Sequence, residues 1–223
     1  MSNIEGSNFG VKAVFVDCPE NNIGSSEQFI GNFLETPGDL SHIVKNKIFV
    51  TSDTHFRHRN ILKYEADNRP FESVEQMNAE LVNRWNAKVS PMDVVFHLGD
   101  FGFTSNAQTR AILSNMNGRK FLLLGNHDRQ QNMTDEKWIS LGFERVFRNP
   151  FLLDDKFIFS HEPLSEIPDG KVNVYGHVHG SKYFNTIDPN RICVCVERWN
   201  CAPIEYEYIK GLFNKDVVDG ELH

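Results

Sequence analysis

The sequence predicts an α/β fold of two mixed β-sheets packed face to face with helices outside them, a four-layer sandwich. Three observations carry that expectation. From Lys47 to Asp128 short apolar runs alternate with helical stretches, as parallel βαβ units require. Beyond residue 140 the pattern turns strand-rich, which adds a second sheet or completes a mixed one. The chain of 223 residues, 40% of them hydrophobic, suits one main domain that buries roughly 70% of its unfolded surface.

Residues 1–46 read as an N-terminal extension or edge-strand addition to a unit spanning 47–223; within them Val11 to Val16 is strand-like and Cys18 to Ser26 loop-like. Lys47 to Thr51 is a buried strand running out at Asp53. Ser73-Val-Glu-Gln76 supplies a capping box, with Val74, Met77, Leu81, Val82 and Trp85 at helical spacing behind it, so a helix runs to about Lys88. Asp93 to Leu98 is the next strand, Ser105 to Met116 a helix closed near Gly118, and Lys120 to Leu124 a third buried strand. Phe143 to Phe147, Phe151 to Leu153, Lys156 to Ser160, Val172 to Tyr175, Arg191 to Val196 and Ile204 to Tyr208 are all strand-like, with Asp154-Asp155 as a hairpin turn.

Thirty acidic residues against 23 basic ones give a formal charge of −7, which argues against a long nucleic acid as partner because backbone neutralisation needs clustered Lys and Arg. A short nucleotide stays compatible. No basic segment followed by an apolar run opens the chain and no stretch approaches the ~18 apolar residues of a membrane span, so a cytoplasmic protein with no membrane partner is expected. Cys18, Cys193, Cys195 and Cys201 are too few and too uneven for a disulfide scaffold. In an extended segment Cys193 and Cys195 face one side, as a Cys-x-Cys metal site needs, but buried small hydrophobes are the commoner outcome.

Seven candidate metal ligands, Asp53, His55, Asp100, Asn126, His161, His177 and His179, stand where expected strands run out into turns. Spacing Asp53 and His55 by one residue lets an extended stretch aim a carboxylate and an imidazole at one cation, and His177 and His179 repeat that geometry between Gly176 and Gly180, whose freedom allows a tight turn. Asp100 can bridge two cations with its two oxygens, and the Asn126 amide oxygen is a neutral ligand. Two divalent cations about 3.5–4 Å apart generate hydroxide near neutral pH and clamp the attacking and leaving oxygens of a phosphate ester. An isolated His is more often structural; four separated clusters at strand ends reverse that judgment.

At these residues the chain resembles the calcineurin-like metallophosphoesterases, whose Asp-x-His, Gly-Asp, Gly-Asn-His-Asp/Glu, lone His and Gly-His-x-His are met in order between Lys47 and Gly180. The ending around Arg191 to Ile209 looks like the small microbial and phage-type branch. The resemblance implies the metallo-dependent phosphatase-like fold, with Asp53, His55 and His179 on one metal, Asn126, His161 and His177 on the other, and Asp100 between them. It also implies that His127 protonates the leaving oxygen and that Asp128 orients His127. Serine/threonine phosphatases of the superfamily follow Gly-Asp with Asp-Arg, whereas Gly99-Asp100 is followed here by Phe101-Gly102-Phe103, which disfavours a phosphoprotein substrate.

The expected function is therefore hydrolysis of a phosphomonoester or phosphodiester of a small, nucleotide-like molecule by metal-bound hydroxide. Manganese is the expected metal, with Fe, Zn or Ni compatible with the donor set. A nuclease or cyclic-nucleotide phosphodiesterase is the alternative within enzymes, and a non-catalytic protein-binding scaffold the alternative outside them. His58 can hold a non-bridging phosphate oxygen, as can the amide of Asn126; a solvated turn is the other reading of His58. Arg69-Pro70-Phe71 resembles a segment of the small branch and reads equally as an ordinary turn. His97 reads as a buried hydrogen-bonded residue or as a partner to a ligand, and Trp199, Tyr206, Tyr208 and Phe213 as core aromatics or a base-stacking set.

Overall fold

A computed structural model describes residues 14–15 and 46–213. Its strands are β1 (Val14–Phe15), β2 (Ile48–Thr51), β3 (Val94–His97), β4 (Arg119–Leu123), β5 (Arg145–Phe147), β6 (Phe151–Leu153), β7 (Phe157–Ser160), β8 (Val172–Tyr175), β9 (Ile187–Asp188), β10 (Arg191–Cys193) and β11 (Ile204–Glu205). The α-helices are α1 (Ile61–Tyr64), α2 (Val74–Asn86), α3 (Asn106–Asn115), α4 (Asn126–Gln130), α5 (Asp135–Leu141) and α6 (Tyr206–Phe213), with a 3₁₀ turn at Val196–Trp199. None is long and apolar enough to cross a membrane.

Among the described residues the strands form two mixed sheets, one ordered β11-β2-β3-β4-β5 and the other β1-β6-β7-β8-β10-β9. Strands β2 to β5 run parallel, as the alternation of strand and helix demands, and β11 closes that sheet antiparallel to β2. In the other sheet β7, β8 and β10 are parallel, while β6 and β7 form the antiparallel hairpin expected at Asp154-Asp155. Val14–Phe15 pairs antiparallel with β6 at its edge.

Side-chain alternation sorts each strand between two cores. Val50, Val94, Phe96, Phe121 and Leu123 face the opposite sheet and meet Phe151, Phe157, Phe159, Val172, Val174 and Ile192. Their neighbours Phe49, Val95 and Leu122 face outward onto Met77, Leu81, Trp85, Leu113, Trp138 and Leu141 of α2, α3 and α5. Much of the chain's Phe content is spent between the sheets, where the Phe96, Phe121, Phe147, Phe151 and Phe159 rings pack with centroids as close as 4.3 Å. Truncating one such ring to Ala costs ~3–5 kcal/mol. The described helix layer covers the five-stranded sheet; across the other sheet's outer face, Asn173 accepts a hydrogen bond from the Leu164 amide and so ties down the loop after His161.

Local chemistry departs from expectation in three places. Ser73 caps α2 by accepting from the Gln76 amide at 3.1 Å, but the Gln76 side chain returns to the Glu72 amide, one residue early, so the box is shifted. A complete box appears instead at Ser105 and Gln108 of α3. Ile204 to Tyr208, expected as a strand, leaves the sheet after Glu205, because Tyr206 and Ile209 one helical turn apart both bury in the inter-sheet core.

Candidate metal centre

All the expected ligands follow the carboxyl ends of strands: Asp53 and His55 after β2, Asp100 after β3, Asn126 after β4, His161 after β7, His177 and His179 after β8. The site thus draws on both sheets, which an isolated parallel bridge between Ser52 and Cys195 also ties together here.

Two donor groups result. Asp53, His55 and His179 converge in one, and Asp100, His161 and His177 in the other. In the first, Asp53 Oδ1 lies 3.9 Å from His55 Nε2 and 3.8 Å from His179 Nε2. In the second, His161 Nε2 lies 2.9 Å from the Asn126 amide oxygen and 3.2 Å from His177 Nδ1, and Asn126 Oδ1 lies 3.1 Å from that same Nδ1. Donors bonded at about 2.1 Å to one ion are separated by ~3–3.6 Å, the order of these spacings. Among the described residues, buried Asp53 Oδ1 and His55 Nε2 find no hydrogen-bond partner, which suits donors aimed at a cation.

Each carboxylate has one oxygen pinned and the other pointed. Asp53 Oδ2 accepts from the His177 amide at 2.8 Å and from the Cys195 thiol at 3.3 Å, leaving Oδ1 to the first group. Asp100 Oδ1 accepts from the His127 amide at 2.9 Å, while Oδ2 faces His55 Nε2 at 3.5 Å and His161 Nε2 at 3.6 Å. Both groups therefore meet a single oxygen of Asp100 rather than one oxygen each. Burial works to raise the Asp53 and Asp100 carboxyls, yet the surrounding imidazoles hold both below the ordinary carboxylate range.

The imidazoles are oriented from behind. Nδ1 of His161 donates to the Leu98 carbonyl at 2.8 Å, Nδ1 of His179 meets Glu197 at 2.9 Å, and Nδ1 of His55 lies 3.1 Å from Nδ1 of His58, so Nε2 faces the centre in all three. His177 is reversed and presents Nδ1. His58 is thus placed against His55 as well as on the rim, and burial with its histidine neighbours lowers it to about 4.

Backbone geometry corrects the expected mode of presentation. Asp53, His55, Asp100, His177 and His179 all adopt left-handed φ between 48° and 70°, so no extended stretch aims them. The turn at Gly176 and Gly180 leaves the positive φ to the histidines; glycine is needed for room, since a Cβ on Gly176 would sit 2.5 Å from Asp53 Oδ2 and Ser52 Oγ. Gly99, at φ 100°, packs against Gly125 so closely that a Cβ would meet its amide nitrogen at 2.5 Å.

His127 Nε2 stands 3.9 Å from Asp100 Oδ2 with its side chain 34% exposed, at the solvent side of the centre. The expected contact from Asp128 to the His127 ring is not made. Asp128 is buried and spends its carboxylate on the amides of Asp100 (2.6 Å), Gly125 (3.0 Å) and Phe101 (3.1 Å), lashing two site loops together, and among the described residues His127 Nδ1 has no hydrogen-bond partner. His97 joins neighbours of ligands rather than ligands: Gly99 N–H donates to its Nδ1 at 3.3 Å, and its Nε2 lies 2.9 Å from Thr54 Oγ1, which donates to the Phe101 carbonyl.

Sequence reasoning missed Glu197 altogether and left Arg69 between a segment resembling the small branch and an ordinary turn. Their side chains are fully buried and paired at 2.6 Å, across 128 positions of sequence that no local pattern spans. Burial alone would raise Glu197, but Arg69 and His179 outweigh it and hold the carboxyl below its usual range. Cys193 and Cys195 lie 3.4 Å apart, buried beside Tyr175, and burial pushes the Cys195 thiol up so that it stays a donor to Asp53. Three of the suspected stacking set are structural, Tyr206 in the inter-sheet core with Trp199 and Phe213 packed against it, while Tyr208 is 54% exposed with its ring 6.2 Å from Trp199. Phe103 and Tyr64 occupy the rim, 44% and 72% exposed; the Phe103 ring lies 4.2 Å from His58 and 5.0 Å from His127, and Tyr64 6.3 Å from His58.

Architecture and donor set together are those of the metal-dependent phosphoester hydrolases. A model of the calcineurin-like phosphoesterase domain matches residues 46–210, and the chain belongs to that family, whose members hold a dinuclear divalent metal centre. The chain is 35% identical over 181 residues to protein MJ1445 of Methanocaldococcus jannaschii, covering 77% of this chain and 94% of that one. It is 30% identical over 182 residues to the gene 66 protein of Mycobacterium phage L5, covering 67% of this chain and 86% of the phage protein. Among solved structures, AQ665 of Aquifex aeolicus shares the fold with a TM-score of 0.59 at 24% identity, over 75% of this chain and 99% of that one.

Proposed function

We propose that this enzyme hydrolyses a phosphomonoester or phosphodiester of a small, nucleotide-like molecule, with two divalent cations held by Asp53, His55 and His179 on one side, Asn126, His161 and His177 on the other, and Asp100 between. The observation that carries this reading is the single Asp100 oxygen faced by both donor groups and, at 3.9 Å, by His127 Nε2. When bound, such cations supply an activated water and charge compensation for the phosphoryl oxygens. His127, poised at the solvent side, gives a proton to the departing alkoxide oxygen. The Asn126 amide, held at the start of α4 beside His161 and His177, adds a group for a phosphate oxygen, and His58, near the same edge, can add a second.

Support for a nucleotide-like ester comes from the rim, where Phe103 and Tyr64 offer aromatic faces beside His127 and His58, as a base esterified close to the reacting phosphate needs. The net charge of −7 favours a short substrate over a long strand. Manganese suits the mixed carboxylate, amide and imidazole donors, and Fe, Zn or Ni are compatible with them. The test is hydrolysis of bis-p-nitrophenyl phosphate and p-nitrophenyl phosphate by the protein loaded with each metal in turn. Turnover with at least one metal is expected; none with any of them rejects the proposal.

A further inference from the structure

We infer that Arg69 and Glu197 are positioning residues which set the geometry of one cation site, joining the Asp53–His55 corner to His179. The inference rests on the reading that Asp53, His55 and His179 share a cation.

Arg69 spends its whole fork inside the protein. Nη2 donates to the Asp53 carbonyl at 2.5 Å and Nη1 to the Thr54 carbonyl at 2.9 Å, while Nε and Nη2 reach Glu197 Oε1 at 2.8 and 2.6 Å. The left-handed turns at Asp53 and His55 bring those two carbonyls into the interior, where a buried acceptor without a donor costs about 1–3 kcal/mol. A planar guanidinium satisfies both and still holds a carboxylate; an ammonium has no such fork. The same Glu197 oxygen takes His179 Nδ1 at 2.9 Å, which leaves Nε2 free to face Asp53 Oδ1. One residue on, Arg198 Nε donates to the His179 carbonyl at 2.7 Å, so the 3₁₀ turn Val196–Trp199 holds both ring and backbone of that ligand.

The second donor group has supports of its own, the Leu98 carbonyl behind His161 and the His127 amide on Asp100; its backbone link to the first is the His177 amide on Asp53 Oδ2, and among the described residues no hydrogen bond or ion pair joins it to Arg69 or Glu197. Disturbing the pair should therefore act on one ion and spare the other, a selectivity that a generic stabilising role lacks. Removing such outer partners typically lowers metal affinity about 10–100-fold.

The experiment compares wild type with Glu197→Gln and Arg69→Lys, each confirmed folded by circular dichroism. Manganese is titrated calorimetrically, and the zinc-loaded proteins are read by histidine-selective ¹⁵N NMR. Wild type should take two equivalents and show His179 as a single Nδ1–H tautomer. Each variant should keep one equivalent at wild-type affinity, bind the other about 10–100-fold more weakly, and lose that single-tautomer signature. Unchanged affinity for both equivalents, or equal weakening of both, overturns the inference. If a single replacement does not fold, the double variant Arg69→Met with Glu197→Gln removes both charges together and is read by the same criteria. Wild-type protein that binds no second ion rejects the two-ion reading instead, a failure visible before any variant is made.

Discussion

Asp100 Oδ2 lies 3.5 Å from His55 Nε2, across the boundary between two donor groups that otherwise share only the turn after β8, which carries His177 and His179. In the proposed two-cation reading, that one oxygen joins the two groups into a single centre. Replacing Asp100 with Ala should accordingly empty both sites, with metal content by atomic emission falling from two equivalents towards none. Retention of two ions by the variant would contradict the bridge.

His127 reaches the centre twice, through its half-buried ring and through its backbone amide, which holds Asp100 Oδ1. His127→Ala keeps that amide and deletes the ring, so turnover of a substrate with a poor leaving group should drop about 10²–10⁴-fold while both ions remain. Metal lost in parallel with activity would assign His127 to binding instead.

Phe103 packs against His58 at a tilt, ring centroids 4.2 Å apart, with 44% of its surface open. If its free face takes a base, Phe103→Ala should lower kcat/KM for thymidine 5′-(p-nitrophenyl phosphate) about 5–150-fold, the equivalent of ~1–3 kcal/mol of stacking. The rate with methyl p-nitrophenyl phosphate, which has no base, should stay near wild type. Equal losses on the two esters would place Phe103 in the scaffold of the site.

Burial works against charge on His179, but Glu197 and Asp53 outweigh it and raise the metal-free imidazole to about 9. A cation must therefore displace a proton, and affinity at this position should climb with pH until about 9, by up to roughly tenfold per unit below it. Calorimetry in buffers of different ionisation enthalpy would reveal the released proton.

His97 behaves oppositely, because burial lowers it to about 3 and the Gly99 amide already occupies its Nδ1. Between that value and the ordinary 6.5 the unfolded chain binds a proton that the folded protein refuses, so stability falls as pH drops through this window. His97→Gln should flatten the part of the urea-midpoint profile between pH 7 and pH 5 that wild type owes to this residue; identical profiles would exclude it.

The site was legible where donors sit one or two residues apart at the end of an apolar run, as in Asp53-Thr-His55 and His177-Val-His179. The parallel sheet was legible too, since Asp93–Leu98 and Lys120–Leu124 are apolar-rich runs buried throughout and Lys47–Thr51 is buried from Phe49 onward. What stayed hidden depends on distance through the fold. Arg69 and Glu197 meet only after two sheets pack, and Asp128 reveals its three amide partners only once the loops after β3 and β4 touch. Tyr206 misled because aromatic and β-branched content from Ile204 onward suits either element, and only the burial of Tyr206 with Ile209 decides for a helix.

Five donors in left-handed conformations also constrain what evolution can try at these corners. That conformation costs most residues roughly 1–2 kcal/mol, and Asn, Asp and His visit it more readily than Glu or β-branched types. Swapping a donor for one with a longer or branched stem would strain the main chain as well as change the chemistry. The alphabet open to mutation is consequently short, and drift in metal preference is channelled through oxygen and imidazole donors by the shape of the backbone itself.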